Sequence, residues 1–274
     1  MPMFYGFRTL MIFIVMMAAL LLEEKIGYKK EKIFEKGQIS AKDAVLFTIS
    51  IGALIAIMGI IIKYGLIEAV SALTIIAFSA ILFLFTYLLL GKYRVLAALP
   101  PIFFISTYLL LRGTIIWDVI LLNIFAVTSA IIAVYFLGTL FTWKSTLIFA
   151  SLICLLDIYH VFISGAMAEL ATASINLKLP NMVILQGKGL GLGDLTLAGI
   201  LTIQTLTKKG QKHAALTITS ITATFLIFEI LFDTFLYKLG VFPATTIIII
   251  GWIPTLITTL KKSQQTKPNL QFSL

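Results

Sequence analysis

Two carboxylates set in apolar sequence are the residues of this chain whose type and placement fit a reaction. Asp194 closes the string Gly191-Leu192-Gly193-Asp194 at the head of one apolar run, and Asp157 lies near the middle of the stretch from Lys144 to Thr172 before it. A carboxylate at membrane depth costs about 2.5–3.5 kcal/mol on insertion scales, so such a group is a functional-site hypothesis by default. Two of them match what peptide hydrolysis needs without a metal or a covalent intermediate: one group takes a proton from water and the other gives one to the scissile amide. Like-charge repulsion and desolvation keep one acid protonated while its partner is ionised, and the pair titrates as a unit. Gly191 and Gly193 lack a Cβ, so backbone at the mouth of the helix can approach a substrate strand closely. The first-turn amides and the helix dipole favour the anion of Asp194. A Gly-x-Gly-Asp string alone also reads as a loop followed by an N-cap. Asp157 tips that balance, because no cap role is open to an acid in the middle of a run, and it needs a partner or water.

The elements that must position these acids are membrane helices. The chain is 60% hydrophobic and 12% charged, against about 25% charged in ordinary soluble domains. Apolar runs near the 20 or so residues of a spanning helix fall at 3–22, 44–63, 66–90, 95–111, 114–141, 145–172, 190–207, 213–237 and 241–260. The expectation is an all-α polytopic membrane protein with nine spans, helices 1–5 in residues 1–144 and the catalytic helices 6–9 in residues 145–274. Pro100-Pro101 mark the fourth span as a kinked one. The first run is followed by Glu23-Glu24-Lys25 without a small-residue cleavage site, and reads as a spanning helix rather than a signal peptide. Of the 21 Lys and Arg, fifteen fall on one side of a nine-span topology, which puts the N-terminus outside and the C-terminus in the cytoplasm of a cell-membrane protein. The net charge of +9 sits in short connections rather than on one face, so topology explains it and nucleic acid does not. The single cysteine, Cys154, excludes an intrachain disulfide and reads as helix packing.

Three separated patches carry a family resemblance. The first is Asp157-Ile158-Tyr159-His160-Val161-Phe162 through Met167. The second is the β-prone strip Leu179-Pro180-Asn181-Met182-Val183-Ile184, running into Gly189-Leu190-Gly191-Leu192-Gly193-Asp194-Leu195. The third is Phe242-Pro243-Ala244-Thr245 opening the last helix. Together, over roughly residues 150–260, they resemble the presenilin and signal peptide peptidase group of intramembrane aspartyl proteases, archaeal presenilin-like members in particular. The resemblance implies Asp157 and Asp194 as the catalytic pair, and a substrate path formed by Gly191, Leu192, Gly193, Met182, Val183, Pro243, Ala244 and Thr245. It implies substrates that are transmembrane peptides such as remnant signal peptides, drawn from the lipid bilayer, and neither metal nor organic cofactor. The strip 180–185 would pair with the unwound substrate as an added strand. Leu156 stands where the family usually has Tyr, removing a hydroxyl from near the acid. Thr245 stands where the family has Leu, adding a hydroxyl to a lining position. The orientation resembles that of signal peptide peptidases and favours type II substrates.

Other polar residues have simpler readings. His160 shares a helical face with Asp157 and reads as a packing or hydrogen-bonding histidine ahead of a general base. With His213 as the only other histidine, no zinc-ligand spacing appears. Glu68 and Asp118 suit first helical turns, and Glu169 a helix end. Glu229 and Asp233, one turn apart, offer a rival from another class, a proton- or cation-coupled transporter, against a structural role beside a basic residue or hydroxyl of a neighbouring helix. A rival enzyme class, the prepilin and preflagellin peptidases, also carries Gly-x-Gly-Asp. In that class basic residues closely follow the other Asp, whereas here apolar residues follow Asp157, and Leu179-Pro180-Asn181 comes well downstream.

Overall fold

A computed structural model describes residues 6–33, 38–90, 94–236 and 242–265. The described chain is mostly helical, in the order α1 (Phe7–Ile33), α2 (Ala41–Lys63), α3 (Ile67–Leu90), α4 (Leu99–Leu111), α5 (Leu122–Leu140), α6 (Trp143–Phe162), α7 (Ala166–Leu177), strands β1 (Met182–Leu185) and β2 (Lys188–Gly191), α8 (Leu192–Lys209), α9 (Gln211–Leu231) and α10 (Ala244–Gln265). A 3-10 turn, Arg94–Ala98, leads into α4, and single π-helical turns, Ile116–Leu121 and Phe232–Leu236, precede α5 and follow α9. Each apolar run of the sequence overlaps one of these helices, and the run 145–172 overlaps two. Five are long and apolar enough to cross a membrane: Ala41–Lys63, Ile67–Leu88, Ile116–Leu140, Trp143–Phe162 and Gln211–Phe235. Large apolar side chains such as Leu46, Ile49, Ile76, Leu109 and Leu110 stand exposed on the outer helices, as expected of surfaces that meet lipid rather than water.

Two helical expectations need correction. The run 145–172 is not one helix. It stops at Phe162, turns through Gly165 at φ 70°, and restarts as the shorter α7. Glycine adopts this left-handed conformation without a Cβ clash, and the Ser164 hydroxyl accepts the Ala166 amide at 3.3 Å. Pro100 and Pro101 do not kink a span either. They lie in the first turn of α4, where the amides that proline lacks have no helical partner anyway.

α8 is the axis of the packing, flanked by α1, α5, α9 and α10. Leu197 through Thr205 are all buried, Thr202, Gln204 and Thr205 among them. A helix enclosed by protein can carry those polar groups because neighbours satisfy them. Gln204 Nε2 donates to the carbonyls of Gly138 (2.8 Å) and Phe141 (2.6 Å), and Trp252 Nε1 to Thr205 Oγ1 (3.2 Å). The backbones approach closely where a side chain is missing: a Cβ on Gly199 would stand 2.4 Å from Val134 Cγ2. A second, aromatic core of Phe104, Tyr108, Trp117 and Phe125 packs under Leu179, Met182 and Ile184. Its polar tips hold the end of α7, through Tyr108 Oη to the Leu177 carbonyl (3.3 Å) and Trp117 Nε1 to the Lys178 carbonyl (3.0 Å). The N-terminal helices thereby support the segment that leads to Asp194.

Candidate active site

The hairpin before α8 sets the position of Asp194. β1 and β2 are antiparallel, pairing Met182 with Gly191, Val183 with Leu190, Ile184 with Gly189 and Leu185 with Lys188. The two turn residues Gln186 and Gly187 both have positive φ, 52° and 77°, the conformation of a type I′ hairpin turn. Leu192 N donates to the Asn181 carbonyl at 3.1 Å. Hydrogen-bonded pairs alternate along such a ladder, so the backbone groups of Ile184, Gly189 and Gly191 point away from the partner strand. At Ile184 that outer edge is already filled: Asn123 of α5 donates to its carbonyl and accepts its amide, at 2.9 and 2.7 Å. The expected substrate strip, 180–185, is thus flanked on both sides at Ile184. The strand edge left facing the cavity is that of β2.

Asp194 follows in the first turn of α8. A Cβ on Gly191 would lie 3.2 Å from its Oδ2, whereas one on Gly193 would meet nothing within 4 Å. The first glycine leaves room for the carboxylate and the second leaves the cavity wall bare. Asp157 projects from α6 and is buried at 6% exposure. Its Oδ2 accepts the Thr245 hydroxyl at 2.6 Å and the Thr245 amide at 3.3 Å. Thr245 lies in the first turn of α10, so Asp157 occupies the N-terminus of that helix, where unpaired amides attract an anion.

Both acids line one cavity of about 620 Å³, together with Met182, Gly187 through Gly193, Ala244 and residues of α7. Among the described residues neither acid forms an ion pair with Lys or Arg. Of the positions expected to meet substrate, Met182, Gly191, Leu192, Gly193 and Ala244 lie on this cavity. Val183 faces the other way, fully buried in the main core. Pro243 precedes α10 without lining the cavity, and Thr245 turns its hydroxyl to Asp157 instead of outward. Leu156 fills the space over Gly52 of α2, where a Cβ would come within 2.4 Å of its Cδ1. His160 Nδ1 is bonded to Ser164 Oγ at 2.9 Å. Cys154 Sγ meets Thr246 Oγ1 at 3.3 Å and joins α6 to α10. Among the described residues no three His, Cys, Asp or Glu side chains are grouped to hold a metal ion.

Glu229 and Asp233 belong to a separate buried ion network. Arg8 Nε pairs with Glu229 Oε1 and Arg8 Nη2 with Asp233 Oδ1, each at 3.1 Å, and Lys188 Nζ reaches Asp233 Oδ2 at 2.5 Å. The Thr9 hydroxyl and amide complete Glu229 Oε2 at 2.7 and 3.2 Å. Asp118, in the π-helical turn, pairs with Lys178 at 3.1 Å. Asn123, Arg8 and Lys188 were not read as site-building residues from the sequence. The signal was there for two of them, since a lone Arg and a lone Asn inside apolar runs each need a partner on a neighbouring helix. Compared with protein-family models and with curated proteins, the chain finds no match in either.

Proposed function

We propose that this protein is a nine-span intramembrane aspartyl endopeptidase that hydrolyses peptide bonds within transmembrane segments, remnant signal peptides among them. The reading rests on one observation: a buried and a half-buried carboxylate, neither paired with Lys or Arg among the described residues, line a single cavity beside a glycine strand edge. The resemblance of residues 150–260 to the presenilin and signal peptide peptidase group points the same way. In this scheme Asp157, held by the two donors of Thr245, takes the proton of the attacking water, and Asp194 gives one to the leaving amide. The substrate unwinds and adds to the outer edge of β2, where Gly189 and Gly191 line the cavity and the Gly191 backbone also meets Asp194. The N-terminus lies outside and the C-terminus in the cytoplasm, as the Lys and Arg bias requires.

The transport reading is the less favoured one, because Glu229 and Asp233 are each paired with a cation. The deciding experiment is cleavage of a labelled transmembrane peptide by purified wild type, Asp157→Ala and Asp194→Ala in detergent with EDTA. Each variant is expected to lose at least about a thousandfold in rate, the scale of a lost acid or base. Cleavage that survives both substitutions would discard the mechanism.

A further inference from the structure

The hairpin that carries the β2 edge cannot hold its own place, since an isolated two-stranded hairpin is marginal at best. Its β1 side is fixed by Asn123 at Ile184, and its base continues into α8. The far end of β2, next to the turn, is held by a charged side chain. Lys188 opens β2 and reaches Asp233, which is buried at 5% side-chain exposure on the π-helical turn after α9. Asp233 is positioned to receive it: Arg8 occupies Oδ1, leaving Oδ2 for Lys188. Arg8 is itself immobilised by Glu229 and lies over the Phe242 ring, 5.2 Å from its centroid. Phe242 packs among Phe225, Phe228 and Phe232 and leads directly to Thr245, the donor to Asp157. Arg8, Lys188, Asp233 and Phe242 all line the same cavity as the acids. One ion network therefore touches both walls of the cavity, the β2 edge and the approach to α10.

Resting on the protease reading, we propose that Lys188 and Asp233 are positioning residues that fix the β2 edge relative to the acid pair and so decide which bond of a bound strand is cut. A strand added to β2 takes its register from Gly189 and Gly191. If β2 moves, the same substrate presents a different peptide bond to the acids. Lys188 is bonded to Asp233, and its loss is expected to fall on the choice of bond more than on the chemistry.

The test measures amide hydrogen exchange and cleavage-site distribution on the full chain in detergent, for wild type, Lys188→Gln, Lys188→Arg and Asp233→Asn. Exchange of amides 183–190 is expected to accelerate about tenfold in Lys188→Gln and Asp233→Asn and to stay near wild type in Lys188→Arg, as for a local opening that loses one tether. Mass spectrometry of the products should show Lys188→Gln spreading cleavage onto neighbouring bonds, with Lys188→Arg restoring the wild-type pattern. Unchanged exchange in Lys188→Gln would overturn the tether, and accelerated exchange with an unchanged product pattern would overturn its role in register. Exchange is read without activity, so a wild type that cleaves nothing sinks the protease reading separately, and the register role with it, while the tether is still decided.

Discussion

Two pairs of acids, one on the cavity and one in the ion network that reaches it through Asp233, differ in what faces them. Glu229 and Asp233 are met by Arg8, Lys188 and the Thr9 donors, oxygen by oxygen. Asp157 and Asp194 are met by Thr245, by glycine backbone and by open space. A buried acid beside its cation is a closed account of charge and holds helices together. A buried acid facing another acid leaves a proton to be shared and a solvent-sized space between groups that can move it. The cost of a carboxylate in or beside an apolar run does not by itself separate the two pairs; the Gly-x-Gly-Asp string favours the pair Asp157 and Asp194. The partners separate structure from chemistry.

The sharpest way to break this comparison is to neutralise one member of each pair. Glu229→Gln leaves the Arg8 charge buried and incompletely matched, and should destabilise the fold by about 3–5 kcal/mol, the usual penalty for removing one partner of a buried ion pair. Asp194→Asn removes a half-buried carboxylate that has no Lys or Arg partner among the described residues, and should leave thermal stability equal or higher while abolishing cleavage. Thermal unfolding of both variants in one detergent checks the contrast, and equal losses of stability would erase it. A smaller effect is expected at Thr245. Thr245→Val keeps the shape but removes the hydroxyl donor to Asp157, and should slow cleavage about ten- to a hundredfold, in keeping with about 1.5–3 kcal/mol for a hydrogen bond to a charged group. Thr245→Ser should recover most of the rate. Smallest in stability is Gly193→Ala, whose Cβ meets nothing within 4 Å. Its unfolding midpoint should match wild type to within the roughly 0.5 kcal/mol of a neutral surface change, while KM rises because the added methyl stands where a substrate strand would lie.

The same contrast explains which parts of the site were legible in the residues. Asp157 and Asp194 stand out because a carboxylate in an apolar run is costly wherever the chain goes. The β-prone strip could be recognised from its composition, but not which edge would be open. That depended on Asn123, an α5 residue 61 positions from Ile184 in sequence, whose amide happens to satisfy a strand edge. Thr245 looked like a lining residue because its hydroxyl has no direction in a sequence. Only the seating of α10 on α6 turns it to Asp157. The break at Gly165 was hidden because apolar residues continue past it and hydropathy does not register a single left-handed glycine.

By itself the sequence determined the solvent and singled out the candidate acids. Long apolar stretches demand helices whose backbone groups are satisfied internally, and two acids within them demand a reason. The tertiary structure alone decided which acids were neutralised and which were left to face a cavity. It also decided that β2 rather than β1 offers its edge, and that Arg8 reaches across to Glu229, 221 positions away. Helix formation is dictated locally, by hydrogen bonds a few residues apart. Pairing of a buried charge is settled only when distant helices pack, because the energy of that contact depends on distance and dielectric that the chain acquires on folding.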